Sequence, residues 1–318
     1  MITRMPSAPA GTVACVASGA AFGAMGIFGK LAYGEGATVG TLLSVRFALA
    51  AALFWALLLA GGGGRRVRGL PRRDVAAALA LGAVGYALQA GCYFAALTRI
   101  DASLLALVLY TFPALVAGAS VALGRERMDA RRLAALGLAL GGLTLVVASA
   151  GAGALDPAGT ALGLGAAVVY SGYILAGEAV AAHVPGPALT ALVCSGAAAS
   201  LTAGSAVLGD LRPGDVTAAG WGWLAGLAVV STVIAIGLFF AGLTRVGPTN
   251  AAILATVEPL VTALLAFAVF GETLGAVQIA GGALIIIAVL VLQMRARRPH
   301  RRPRMAVRGP LTTERTTA

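Results

Sequence analysis

Two stretches of this sequence, "GCYFAALTRIDAS" (91–103) and "GLFFAGLTRVGPT" (237–249), decide its fold. They align without a gap when the chain is shifted by 146 residues, from 91 to 237, and both contain Leu-Thr-Arg. The same shift lays Pro113 over Pro259 and Glu126 over Glu272. Shared hydrophobicity alone does not produce identical residues in one ungapped register. We therefore infer that the chain consists of two duplicated halves.

The composition around these stretches is that of an integral membrane protein. Hydrophobic residues make up 59% of the 318 residues and charged residues 11%, whereas a soluble domain carries roughly 45–50% and about 25%. A single soluble core stops growing at roughly 250–300 residues, so the apolar surplus must face lipid. The net charge of +11 does not indicate a nucleic-acid partner, because the arginines lie in blocks between or after apolar runs.

Ten helices long enough to cross the membrane are predicted. A helix that crosses about 30 Å of hydrocarbon needs roughly 20 apolar residues. Cutting the chain at turn formers and charge clusters places such helices at approximately 11–33, 39–60, 75–97, 102–123, 131–150, 159–182, 188–208, 219–241, 250–270 and 275–293. The connectors are short and leave no room for an extramembrane catalytic domain. The predicted fold class is an all-α integral membrane protein.

The positions of Lys and Arg predict the orientation of these helices. With the N-terminus inside the cell, 19 of the 23 basic residues fall on the cytoplasmic side and only Arg99 and Arg212 fall in outer connectors. Positively charged connectors stay on the cytoplasmic side. We therefore expect a multi-pass protein of the cell membrane with both termini in the cytoplasm.

The repeat is predicted to be inverted. The shift carries the third and fourth helices onto the eighth and ninth, a displacement of five helices, so each copy enters the membrane from the opposite face. Inverted repeats joined by short connectors are typical of secondary transporters, whose midplane site opens to either side. The expected organisation is a cytoplasmic N-terminus (1–10), a first five-helix repeat (11–150), a second (159–293) and a basic disordered cytoplasmic tail (294–318).

These features resemble the EamA family of the drug/metabolite transporter superfamily. The resemblance covers nearly all of residues 11–293 and rests on Lys30, Arg46 and the two repeated elements, the second of which contains Glu258-Pro259 and Gly271-Glu272. The first copy departs from the second in having Phe112-Pro113 where the second has Glu258-Pro259. The resemblance implies ten helices in two repeats and export of metabolites, amino acids or drug-like compounds by alternating access.

Glu258 is the most deeply placed acidic residue and a candidate site for a substrate amine or a proton. A carboxylate near the midplane costs several kcal/mol unless it is protonated or paired. The alternative is a neutral glutamic acid that fills a hydrogen bond at the Pro259 kink. Pro113 and Pro259 are candidate hinges, because proline interrupts the backbone hydrogen bonding of a helix, and packing kinks are the alternative.

The remaining candidates are polar residues on apolar helices. Lys30 lies near the outer end of the first helix, where snorkelling to the interface is the alternative to a role in substrate binding. Arg46 lies about 10 Å deep, and we expect it to line the cavity or to pair with a carboxylate such as Glu35. Gln89, Tyr110 and Asn250 could line a pocket, with hydrogen bonds between helices as the alternative.

Among the function classes, a secondary carrier of small molecules fits best. The sequence contains no nucleotide-binding loop, and a membrane-embedded enzyme would need a nucleophile with its base or a metal cluster, for which no motif is present. A channel is the further alternative. We predict no cofactor, no metal and no nucleic-acid partner. The expected partners are a small-molecule substrate and the lipid bilayer, with anionic lipid at the basic tail, and a homodimer is compatible with the sequence.

Overall fold

The computed structural model describes residues 8–125, 127–148 and 156–293, and these fold almost entirely as helices. Ten are long and apolar enough to cross a membrane, and we number them as spans 1 to 10: Pro9–Gly34, Val39–Ala60, Arg72–Leu97, Ala102–Ala122, Ala130–Val147, Pro157–Ala181, Gly186–Val207, Ala218–Val246, Ile253–Phe270 and Ala276–Gln293. The described ranges contain no strand. The predicted ten-helix membrane fold is confirmed. Glu126 and the predicted tail at 294–318 lie outside the described residues.

The two ends of the bundle can be told apart by the chain ends. Because the number of spans is even, residues 8 and 293 lie at one end, which we call the terminal end, and the opposite end is the far end. Three helices begin at the far end after a capping side chain, because Thr38, Asp156 and Thr217 each accept a hydrogen bond from a backbone N–H of the following turn. Gly271 ends span 9 there with a positive φ of 68°.

Spans 4 and 9 are broken at equivalent positions. Span 4 consists of Ala102–Leu109 and Phe112–Ala122, while Pro248–Ala255 and Val257–Phe270 form the helix that contains span 9. In each case the second segment has a proline near its start, Pro113 or Pro259. Proline has no N–H to donate to the carbonyl four residues earlier, so the helix is interrupted at that level. Both predicted prolines therefore mark real helix breaks. Span 1 is also interrupted, at Ala24.

Spans 3 and 8 each contain a turn of π-helix, which the sequence did not predict. The π segments are Leu81–Tyr86 and Val229–Ile234. The shift of 146 residues that aligns the two repeats carries the first segment to within two residues of the second. At the first of them the chain packs backbone to backbone on span 7. A Cβ added to Gly82 would collide with the carbonyl oxygen of Val193. Only glycine allows this approach, and π segments of this kind are frequent at functional sites.

The packing of the spans has the symmetry of an inverted repeat. The main contacts among the described residues join span 1 to span 8, span 3 to span 6, span 2 to span 7, span 5 to span 10, span 3 to span 7, span 2 to span 8, span 1 to span 9 and span 4 to span 6, and a smaller contact joins span 4 to span 9. Exchanging each span for its counterpart five positions along the chain reproduces this set. Counterparts five spans apart run in opposite directions, so a pseudo-two-fold axis in the membrane plane relates the two repeats. The repeats interlock, and their shared interface is the centre of the bundle.

Candidate functional site

A cavity of about 330 Å³ lies between the two repeats, at the level of the helix breaks. Eight spans contribute side chains to it, and ten of its 21 lining residues are aromatic. The aromatic residues are Phe22, Tyr86, Tyr93, Phe94, Tyr110, Phe112, Tyr170, Tyr173, Phe239 and Phe240. Aromatic walls with few polar groups are typical of small-molecule sites.

The cavity extends towards the terminal end of the bundle. Its lining includes Leu189 and Thr190, in the first turn of span 7, and Phe240, two turns before the end of span 8. Phe240 is 45% exposed. At the far end the wall reaches Phe94, in the last turn of span 3, and this side chain is fully buried. At the terminal end Leu189 and Thr190 are partly exposed, so the cavity is less enclosed on that side.

Arg46 is the one basic residue in the wall of the cavity among the described residues. Its Nε–H donates to Thr232 Oγ1 at 3.1 Å, and its Nη2 lies 3.5 Å from the Tyr86 hydroxyl. The rings of Phe47 and Phe94 lie 5.0 and 5.3 Å from the guanidinium carbon, within cation–π distance. Within the described part of the chain, no carboxylate lies within 4.0 Å of it. The predicted cavity position of Arg46 agrees with the structure, whereas Glu35 instead accepts a hydrogen bond from Thr217.

Glu258 is the only acidic residue in the same wall within the described ranges. It occupies the first turn after the break in span 9, and its carboxyl group has no protein partner in the described part of the chain. Its backbone lies against span 1, where a Cβ on Gly23 would approach the Glu258 carbonyl oxygen to 2.7 Å. Arg46 and Glu258 thus place one positive and one negative group in a single cavity without pairing to each other.

The carbonyl group that Pro259 leaves free is bonded by the other repeat. Proline at 259 lacks the N–H that would bind the oxygen of Ala255, and Tyr110 Oη donates to that oxygen at 2.8 Å. Tyr110 itself sits at the break in span 4, so this bond joins the two helix breaks. Tyr110, and not Glu258, therefore makes the hydrogen bond to the free carbonyl group at the Pro259 kink. Glu258 faces the cavity instead.

The other predicted site residues separate into two groups. Gln89, which is buried, lines the cavity with Arg46, Tyr110 and Glu258. Asn250 lies outside it, and its side-chain amide donates to the backbone oxygen of Val246 at 2.9 Å. Lys30 also lies outside it, at the far end.

Lys30 belongs to a set of bonds that join the repeats at the far end. Its Nζ lies 2.6 Å from Glu272 Oε1 and 3.6 Å from Asp101 Oδ1. Glu272 also accepts hydrogen bonds from the backbone N–H of Ala102 at 3.2 Å and of Ser103 at 3.1 Å, and from the Ser103 hydroxyl at 2.9 Å. Burial by itself would raise the pKa of Glu272, but these donors outweigh it and hold that pKa below its ordinary value of 4.5. A carboxylate of the second repeat thus caps span 4 of the first.

Three further contacts join residues at the same end. The Asp210 carboxylate accepts from the Gly40 N–H at 2.7 Å, and Thr41 Oγ1 accepts from the Arg212 N–H at 2.7 Å. Arg99 lies 3.0 Å from Asp156. At the terminal end the described residues show one ion pair between the repeats, from Arg125 to Glu178 at 3.5 Å, and both side chains are largely exposed. The polar contacts between the repeats are therefore concentrated at the far end. At the terminal end the repeats meet through buried apolar clusters, one with Ala78 and Val184 and one with Ala139 and Ala288.

Comparison with known proteins accounts for this architecture. The model of the EamA-like transporter family matches residues 9–148 and, a second time, residues 157–294. The chain belongs to the EamA-like transporter family. It is a multi-pass membrane transporter, and its family is built from two copies of the repeat that the sequence revealed.

Two relatives and one solved structure show how far this EamA-like transporter resembles other known chains. An uncharacterized transporter of Archaeoglobus fulgidus is 33% identical over 88% of this chain and 95% of its own length. The uncharacterized transporter YcbK of Bacillus subtilis is 27% identical over 88% of this chain and 91% of its own. A crystal structure with 20% identity matches 90% of this chain and 97% of its own with a TM-score of 0.63, which shows a shared fold.

Several cavity residues of the transporter were not found from the sequence. Thr232, Tyr86, Tyr173 and Cys194 all line or support the site. Aromatic and hydroxyl side chains are common on apolar helices, so their type alone carries no signal. The π segments that aim Tyr86 and Thr232 at Arg46 change the helical register, and a search based on a period of 3.6 residues misses them.

Proposed function

We propose that this protein is a secondary transporter that exports small metabolites, amino acids or drug-like compounds by alternating access between its two repeats. One observation carries the proposal: the cavity between the repeats is bounded by bonds between the repeats at the far end and extends towards the terminal end. A carrier in one of its two end states has this shape. The opposite state would release the far-end contacts and close the terminal end.

The excess of arginine at the terminal end supports a cytoplasmic position for that end, in the cell membrane. The arrangement described above would then be the inward-facing state, ready to accept substrate from the cytoplasm. Residues 11–150 and 159–293 would be the two units that move, and the basic segment 294–318 would contact anionic lipid at the cytoplasmic surface.

The wall of the cavity favours a neutral, zwitterionic or amphipathic substrate. Ten aromatic side chains offer apolar contact, while Arg46 and Glu258 are its only charged groups in the described residues. A highly charged compound would find too few partners there. Glu258 would take up a substrate amine or a proton, and Gln89 would supply neutral hydrogen bonds.

The test is transport in proteoliposomes. An untargeted comparison of metabolites exported by cells with and without the gene would supply the compound, and counterflow of its labelled form would then be measured. A carrier gives saturable uptake that is accelerated by unlabelled compound on the opposite side. Flux that rises linearly with concentration, or the absence of flux above empty liposomes, contradicts the proposal.

Two tryptophan variants test the path. Thr190→Trp places a bulky ring at the terminal end of the cavity and should reduce counterflow at least about tenfold, because the passage is narrowed. Leu208→Trp is the control, because Leu208 is 83% exposed and lies outside the cavity. Equal flux in the two variants would show that substrate takes another route.

A further inference from the structure

We infer that Arg46 binds a carboxylate group of the transported molecule and that one π-helical turn of each repeat holds its guanidinium in place for this purpose. This inference rests on the proposed transport function and narrows its substrate class to molecules that carry one carboxylate on an apolar body.

The first step is the unused hydrogen-bonding capacity of Arg46. A guanidinium has five N–H donors in a fixed planar fork and cannot lose its charge in a protein. Only two donors have protein partners, Thr232 Oγ1 at 3.1 Å and the Tyr86 hydroxyl at 3.5 Å. Both partners are neutral. The side chain is nevertheless buried, with 2% of its surface exposed, and it borders the cavity.

A buried and uncompensated cation is costly inside a membrane bundle. The ring faces of Phe47 and Phe94 offset part of this cost, since cation–π contacts are favourable. They leave three of the five N–H groups, which lie on the edges of the guanidinium, without a protein partner in the described part of the chain. Glu258 is the one carboxyl group in the same wall among the described residues, and it does not pair with Arg46. An anionic group of the ligand would therefore complete the site.

Two hydroxyl groups, those of Thr232 and Tyr86, orient the guanidinium of Arg46. The Thr232 hydroxyl donates its own proton to the Leu227 carbonyl at 3.1 Å, so its oxygen is left to accept from Arg46. The acceptor is five residues earlier, the spacing of the π turn Val229–Ile234. Tyr86 ends the other π turn, Leu81–Tyr86. The two irregular turns, one in each repeat, therefore direct two hydroxyl groups onto one guanidinium.

The third step is the choice of a carboxylate over other anions. Arg46 is the only cation in the wall of the cavity among the described residues and Glu258 adds a carboxyl group there, so the wall can balance at most one negative charge of a ligand. A phosphate ester would carry nearly two. The planar fork fits the two oxygens of a carboxylate in a bidentate pair. Other aromatic side chains of the cavity wall, among them Phe112 and Tyr170 with ring centroids 4.6 Å apart, provide an apolar surface for the rest of the molecule.

The experiment compares acids with their own amides. Dissociation constants of the purified wild-type protein are measured by calorimetry for three pairs: hydrocinnamate and hydrocinnamamide, octanoate and octanamide, and indole acetate and indole acetamide. Phenyl phosphate serves as the competing anion. We expect at least one acid to bind about tenfold or more tightly than its amide, because the amide cannot form the charged pair. Equal binding within all three pairs, or tighter binding of phenyl phosphate than of every acid, overturns the inference.

Variants identify the responsible group. Arg46→Gln should remove the preference for the acid, and Arg46→Lys should reduce it by about tenfold because the charge stays and the fork is lost. Thr232→Val should weaken acid binding, whereas Thr232→Ser keeps the hydroxyl and should restore it. Arg99→Gln, at a half-exposed arginine outside the cavity, is the matched control. A preference that survives in Arg46→Gln contradicts the assignment.

The wild-type comparison stands even if the Arg46 variants fail to fold. Counterflow separates this inference from the proposed function. Saturable counterflow without any acid preference overturns the carboxylate site and leaves the carrier intact. Acid preference that depends on Arg46 without saturable flux supports the site and overturns the carrier.

Discussion

Glu258 is the side chain whose chemistry most directly links the cavity to transport. Its carboxyl group faces a cavity with aromatic walls and has no protein partner in the described ranges. Glu258→Gln keeps the size and the hydrogen-bonding capacity of the side chain and removes its ionisation. We expect expression close to that of the wild type and a reduction of counterflow of at least about tenfold, a magnitude typical for loss of a charged partner. Unchanged transport with an unchanged dependence on pH would show that the carboxyl group is structural.

Glu272 holds the far end together, and its loss should lower stability. Glu272→Gln can still accept from Ser103 but loses the ion pair with Lys30, which is 2.6 Å long and has side chains 22% and 6% exposed. We expect a loss of roughly 1–2 kcal/mol, seen as a lower midpoint of thermal unfolding in detergent. Glu178→Gln is the control, since its pair with Arg125 is long and exposed and should contribute little.

The Glu272 contribution should depend on pH in one direction. The folded-state pKa lies below the ordinary value of 4.5, so the stabilisation is complete above that value and is lost as the pH falls through the folded-state pKa. The difference in midpoint between wild type and Glu272→Gln should therefore be constant near neutral pH and shrink on acidification. A difference that stays the same at acidic pH would show that the charge of Glu272 is not what stabilises the far end.

The sequence identified individual side chains better than their partners. The depth of Arg46 and Glu258 in apolar helices follows from counting residues, and both line the cavity as expected. The pairing of Lys30 with Glu272 could not be predicted, because it joins positions 242 residues apart across the repeat interface. Thr232 and Tyr86 were missed because a π turn rotates the residues that follow it relative to a regular helix.

The broken helices are the elements that the sequence described most accurately. Pro113 and Pro259 predicted interruptions at equivalent depth, and the structure places both breaks there. What the prolines could not indicate is that the breaks contact each other through Tyr110 and the Ala255 carbonyl. A hydroxyl of one repeat thus takes the place of the N–H that proline removes from the other.

Replacing either proline should shift the balance between the two end states. Pro259→Ala supplies an N–H that can bind the Ala255 oxygen, so it competes with Tyr110 and favours the state in which span 9 is straight. Pro113→Ala does the same for span 4. Because the repeats are inverted, the two substitutions should bias access in opposite directions. To measure access from each side, one cysteine is engineered at each end of the bundle, and its rate of reaction with a membrane-impermeant thiol reagent is compared between the variants. Shifts in the same direction, or none, would identify the prolines as packing features.

The arrangement of the whole bundle follows from the duplication. Because equivalent helices are five spans apart, they run antiparallel. The packing of span 1 on span 8 and of span 6 on span 3 shows the resulting two-fold relation. Under the proposed alternating access, the sequence could not predict which end of the bundle the cavity approaches. The ion pairs at the two ends differ in burial, with Lys30 and Glu272 largely buried at the far end and Arg125 and Glu178 exposed at the terminal end. The sequence shows charged residues at both ends but does not show which of them pair.

The orientation of the bundle in the membrane can be tested by chemical labelling. Single cysteines would be introduced into a variant in which the three native cysteines are replaced, and intact cells would be treated with an impermeant maleimide. Arg99 and Arg212 lie at the far end, whereas Arg72, Arg127 and Arg245 lie at the terminal end. We expect labelling at the first two positions only, because the terminal end carries the arginine excess that stays in the cytoplasm. Arg99 and Arg245 are equivalent in the repeat, so their opposite labelling would directly demonstrate the inversion. Labelling of Arg245 from outside would contradict it, since equivalent arginines would then share one face of the membrane.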